Sequence, residues 1–194
     1  MNPLSTDETL GPGGSGHLSI VGLPGAGKTT LGRQLAVHFN RPFLDLDAAI
    51  EARTGRGVRA IFAAEGEAGF RVLEAAMLRD VLAAGGAPLV LATGGGTPCF
   101  HHNMALLNQA GPTLWLDVPV ATLAARLAPE EVAKRPLIAA AGGAEAWLRE
   151  TLAARKQFYA QARVRCSVAC TLPAIVARLA AAGFARPGPL PSIS

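Results

Sequence analysis

Aromatic residues are scarce in this chain, at 5%, and charged residues make up only 16%. So few aromatics disfavour an aromatic-rich β-sandwich, and the alanines and leucines that fill the apolar positions favour helices packed with small side chains. No unbroken apolar run approaches the roughly 20 residues that a membrane-spanning helix needs. Three cysteines cannot all pair, and 194 residues build a core without staples, so no disulfide framework is expected. Cys166 and Cys170 lack the second ligand pair of a zinc site. The first residues carry neither the positive n-region nor the apolar h-region of a secretory signal, and the cytoplasm is the expected compartment. Lysine is rare as well: of 18 basic residues only Lys28, Lys134 and Lys156 are lysines, so the net charge of +4 rests on arginine. Arginine suits carboxylate and phosphate ligands. The arginines are scattered, with no basic helix interleaved with aromatics, and nucleic acid is not an expected partner.

Half of the residues are hydrophobic, which fits a single globular domain. Residues 1–17 and 185–194 are rich in Pro, Gly and Ser without periodicity and read as flexible tails around a domain at 18–184. Inside it, short apolar runs at 18–21, 43–46, 89–92, 113–116 and 164–169 each precede a helical pattern. Their lack of polar alternation predicts parallel strands covered on both faces, hence an α/β fold with five strands wound between helices.

The strongest motif is Gly22-Leu23-Pro24-Gly25-Ala26-Gly27-Lys28-Thr29, a G-x-x-x-x-G-K-[ST] sequence between the first strand and a helical stretch at 30–39. Its glycines let backbone N–H groups turn inward around phosphates, the helix start adds partial positive charge, and Lys28 reaches the β/γ-phosphates. Gly25, Ala26, Gly27, Lys28, Thr29 and Thr30 are therefore the expected nucleotide-binding residues, with the Thr29 hydroxyl offered to Mg²⁺. An Asn-Lys-x-Asp base-reading motif is absent, which argues against GTP. The length suits a small kinase better than an ATPase motor.

The second run ends Asp45-Leu46-Asp47. In an extended segment both carboxylates face the crevice at the strand's C-terminal end, one able to hold a metal-bound water and the other to accept a bond from a substrate hydroxyl. The competing use of Asp47 is as a helix cap before Ala48-Ala49-Ile50-Glu51. Further along stand Ile61-Phe62, Gly66-Glu67, Phe70-Arg71-x-x-Glu74, Leu91-Ala92-Thr93-Gly94-Gly95-Gly96, Arg135-Pro136-Leu137 and Arg155-Lys156-Gln157-Phe158-Tyr159. Three successive glycines bury no side chain and are expected where backbone must approach a ligand.

With these blocks, in this order and at this spacing from about residue 18 to 182, the chain resembles the shikimate kinases. The resemblance implies the nucleoside-monophosphate-kinase-like P-loop fold: a three-layer sandwich of five parallel strands with helices on both faces, a substrate-binding helical segment near 48–84 and a mobile lid near 128–143. It implies Mg²⁺-dependent transfer of the γ-phosphoryl group of ATP to the 3-hydroxyl of shikimate, in aromatic amino-acid biosynthesis. By the same resemblance Asp47 holds the attacking hydroxyl, Asp45 supports Mg²⁺ through water, and Arg71 and Arg155 clamp the substrate carboxylate. Gly95 offers it an N–H while Gly94 and Gly96 shape the turn. Arg135 closes over the β/γ-phosphates and joins Lys28 in stabilising the transferring group. The alternative for Arg71 is an exposed ion pair with Glu67 or Glu74 on its own helix. A monomer is expected.

Two departures accompany the resemblance. Ala128 stands where many members carry an adenine-stacking arginine, leaving Arg126 or Lys134 as substitutes, and the adenine loop is faint around Cys170-Thr171-Leu172-Pro173. His101 and His102 read as solvated loop residues, Cys99 as inert, and Trp115 and Trp147 as packing residues. Among other small-molecule kinases a gluconate kinase shares the P-loop and an acidic substrate, but the triple glycine and Phe-Arg-x-x-Glu argue against it. A ligand sensor fused to a DNA-binding module is disfavoured by the 17 residues ahead of the first strand, too few for a helix-turn-helix.

Overall fold

The computed structural model describes residues 16–85, 87–126, 141–167 and 170–184. In chain order these form β1 (Leu18–Val21), α1 (Lys28–Phe39), β2 (Phe43–Asp45), α2 (Leu46–Thr54), α3 (Val58–Ala83) and β3 (Val90–Ala92). A 3-10 turn (Thr97–Cys99), α4 (Asn103–Ala110), β4 (Thr113–Asp117), α5 (Val120–Arg126), α6 (Ala144–Tyr159), β5 (Val164–Ser167) and α7 (Leu172–Ala181) follow. The strands make one sheet in the order β2-β3-β1-β4-β5, and every neighbouring pair is parallel. Right-handed crossovers put α1 on one face, because β1 to β2 runs towards one edge, and put the helices of the later crossovers on the other.

The centre of the sheet is sealed on both sides: Leu18, Ser19, Ile20 and Val21 of β1 are fully buried, as are Val90 and Leu91 of β3. Leu35 and Phe39 from α1 and Leu107 from α4 pack into the same core. Each such buried leucine contributes about 1.5–3 kcal/mol relative to exposure. The edge strand β5 departs from the expectation of continuous burial: Val164 and Cys166 point inward while Arg165 and Ser167 are exposed. An edge strand is covered on one face only, so alternation returns there.

One predicted boundary is wrong in a way that matters for the site. The run 43–46 does not stay extended through Leu46; β2 stops at Asp45 and α2 begins at Leu46. Asp45 is the N-cap, its Oδ1 accepting from Asp47 N at 3.1 Å and Ala48 N at 3.4 Å. The cap therefore belongs to Asp45 and not to Asp47, which sits in the first turn of α2. The segment expected at 48–84 resolves into α2 and α3, the latter broken at Gly66, where φ is 70° and ψ −176°. Of the two expected tails only residues 16 and 17 are among the described residues; residues 1–15, 185–194 and the larger part of the expected lid, 128–140 with Arg135, lie outside them.

Candidate active site

β1 delivers the chain into a loop that turns back into α1. Gly25 and Gly27 hold φ angles of 78° and 88°, a left-handed backbone that a Cβ would strain. Lys28 is already the first residue of α1, two residues ahead of the predicted start, so the amides of Lys28, Thr29 and Thr30 stand at the helix N-terminus. The Lys28 side chain folds back over the loop, its Nζ donating to the Gly22 and Leu23 carbonyls at 2.9 Å each. Burial lowers its pKa to about 8, opposed by Asp47 and Asp45 and reinforced by Arg155.

Thr29 and Asp45 meet: the Thr29 hydroxyl donates to Asp45 Oδ2 at 2.7 Å. A hydroxyl beside a carboxylate is a pair of hard oxygen donors, which fits Mg²⁺, an ion held through few protein ligands with phosphates and water completing its shell. Among the described residues no group of three or more His, Cys, Asp or Glu side chains forms a denser metal cage.

Asp47 reaches the same space from α2. Its Oδ1 lies beside Gly94, where an added Cβ would come within 3.1 Å of it and 2.9 Å of Glu74 Oε1. Burial, with Glu74 and Asp45 as neighbouring negative charges, raises the Asp47 carboxyl to about 6, although Lys28 and Arg71 pull the other way. A carboxyl poised there accepts a proton more readily than an ordinary aspartate.

Arg71 is not an exposed helix-surface cation. It is buried, and its Nη1 donates to Glu74 Oε2 at 2.9 Å while Nη2 and Nε donate to Glu67 Oε1 at 3.0 and 3.3 Å. Both ion pairs weighed from sequence are present, but Glu74 is fully buried and its other oxygen accepts from Thr97 Oγ1 at 2.5 Å. Phe100, Phe70 and Phe62 surround the guanidinium, with ring centroids 4.6, 5.3 and 5.8 Å from its carbon.

The three glycines after β3 are also a packing feature, contrary to the sequence-based expectation. None has a left-handed φ. What each lacks is room: an added Cβ would lie 2.8 Å from Pro24 Cδ and 3.3 Å from Arg155 Nη1 at Gly95, and 2.3 Å from Arg71 Nη2 at Gly96. The turn is thus the floor on which Asp47, Arg71, Arg155 and the phosphate loop converge. One turn beyond Arg155 on α6, Tyr159 donates its hydroxyl to the Gly95 carbonyl at 2.5 Å.

The structure brings together Lys28, Thr29, Asp45, Asp47, Arg71, the three glycines and Arg155; Gly25, Ala26, Gly27 and Thr30 complete the adjoining loop. His101 and His102 are exposed and Cys99, its thiol pushed up to about 11 by burial, stays protonated, as expected. Trp115 and Trp147 both join the core. Glu74, Thr97, Phe100 and Tyr159 had been given no site role from sequence, although the i,i+4 spacing of Arg155 and Tyr159 on one helix was a usable signal.

A family model described as shikimate kinase matches residues 24–181. A shikimate kinase from Symbiobacterium thermophilum is 44% identical over 146 residues, covering 75% of this chain and 82% of that protein. The solved shikimate kinase of Acinetobacter baumannii, in complex with shikimate, superposes with a TM-score of 0.73 at 35% identity, covering 84% of this chain and 89% of that one. The shikimate kinase structure from Bacteroides thetaiotaomicron gives 0.69 at 37% identity, over 78% and 85% of the two chains.

Proposed function

The chain belongs to the shikimate kinase family, and from that premise we propose how its residues divide the transfer of a γ-phosphoryl group from ATP to the 3-hydroxyl of shikimate. The carrying observation is that Pro24 of the phosphate loop and Arg155 of α6 both lie against Gly95, so a triphosphate and an anionic acceptor share one wall. Gly25, Ala26, Gly27, Lys28, Thr29 and Thr30 bind the phosphates through backbone N–H groups, and Lys28 neutralises charge on the transferring group. Arg71, Arg155 and the Gly95 N–H take the shikimate carboxylate, the guanidinium groups giving charge-assisted hydrogen bonds. Gly94 and Gly96 shape that turn. Asp47 orients the attacking hydroxyl and accepts its proton, a role supported by a carboxyl titrating near 6. Thr29 and Asp45 are the residues that would hold Mg²⁺, Asp45 through water. When bound, the ion would supply positive charge that offsets the charge of the phosphates. Arg135 serves the same phosphates from the lid, where closure excludes the water that competes with the acceptor.

Free Cys99, Cys166 and Cys170 together with the use of ATP support the cytoplasm as the site of action. Coupled measurement of ADP release with shikimate, gluconate or buffer alone tests the reading. Turnover that requires shikimate is expected; ADP release without preference for it overturns the assignment.

A further inference from the structure

We propose that Tyr159 is a positioning residue for the acceptor carboxylate, tying Arg155 and the triple-glycine turn into one rigid anion site. The inference rests on the reading of Arg155 and Gly95 as carboxylate ligands. Tyr159 is the only tyrosine of the chain and is fully buried. Its hydroxyl finds its acceptor 64 positions away, on the Gly95 carbonyl. Arg155 lies one helical turn earlier on the same face of α6, and its Nη1 lies against the same Gly95. The phenol thus ties the helix that carries Arg155 to the backbone after β3.

That link controls more than one carbonyl. A peptide unit is planar and trans, so pinning the Gly95 carbonyl on one side directs the Gly96 N–H to the other. Glycines have no side chain to limit their rotation, so an external tie has most effect there. Arg155 packs against Gly95 and Arg71 against Gly96, and the pinned peptide therefore runs between the two guanidinium groups. Burial pushes the phenol up to about 12, which keeps it a donor throughout the working pH range. The ring is held independently, 6.0 Å from the Trp115 ring, so a phenylalanine retains the packing.

Tyr159→Phe tests the role. The KM for shikimate should rise about tenfold, the factor for a hydrogen bond lost to a buried acceptor. Turnover and the KM for ATP should stay within about twofold, since only ground-state and transition-state binding of the carboxylate is weakened alike. An unchanged KM for shikimate overturns the proposal, and so does a parallel loss in turnover and ATP affinity, which marks a structural role. Arg155→Ala separates the two levels of the argument. An effect there with none in Tyr159→Phe sinks the positioning role alone, whereas no effect in either sinks the carboxylate-site reading with it.

Discussion

The two halves of the proposed site would hold anions by different means. The phosphate half is local backbone: one loop and one helix start, with a single lysine resting on carbonyl oxygens. The acceptor half is side chains drawn from α2, α3 and α6 over a glycine floor, and its central cation is already engaged by two carboxylates. A local loop depends little on the rest of the molecule, whereas a buried ionic network leaves an uncompensated charge whenever one member is removed.

The comparison is broken most directly by removing one cation from each half. Arg71→Met strands the fully buried Glu74 and should cost about 3–5 kcal/mol of stability together with shikimate binding. Lys28→Met should abolish turnover yet change stability by under about 1 kcal/mol, because its amine is desolvated and rests on neutral carbonyls. Denaturant unfolding of the two variants decides; equal losses would erase the distinction.

Asp47→Asn is the next largest effect, a fall of about 10²–10⁴ in turnover with ATP binding retained. In the unmutated protein the pH profile of kcat/KM should show an acid limb near 6 from Asp47 and an alkaline limb near 8 from Lys28, and the variant should lose the acid limb. Stability supplies the second readout. The folded-state pKa of Asp47 is raised, so the folded protein binds this proton more tightly than the unfolded chain does. Its contribution is present below about 4 and is lost as pH rises to about 6. The melting temperature of Asp47→Asn relative to the parent should therefore be higher at pH 7 than at pH 4; a constant difference would contradict the assignment.

The smallest effects separate two reasons for glycine. At Gly25 the surroundings are open and the backbone is left-handed, so Gly25→Ala should cost about 1–2 kcal/mol of conformational strain, read as weaker ATP binding. At Gly96 the backbone is ordinary and the space is taken by Arg71, so Gly96→Ala should raise the KM for shikimate and spare that for ATP. Steady-state KM values for both substrates in each variant check the split.

That division also explains what was legible in the sequence. The phosphate loop is written contiguously, and all eight motif positions fall where the spacing puts them. The apolar runs located all five strands because buried parallel strands show as short hydrophobic segments. The helix start at Leu46 was missed since the decisive signal, Asp45 accepting two amide hydrogen bonds, competes with an equally good reading of the two aspartates as an extended pair. Glu74 and Tyr159 escaped for another reason. Their partners, Thr97 and Gly95, are 23 and 64 residues away, and no local pattern encodes such contacts. The crowding around the triple glycine was invisible for the same cause.

The posture of Lys28 has one more consequence. Because its ammonium bridges the Gly22 and Leu23 carbonyls, an anion bound as proposed would displace those contacts and not simply add to them. A polyphosphate replaces both acceptors at once and gains the loop amides besides, while chloride or a lone phosphate must part the same bridge with fewer compensating contacts. On the proposed reading the lysine would be a threshold as well as a ligand, biasing the loop towards long, highly charged chains in a solution crowded with small anions.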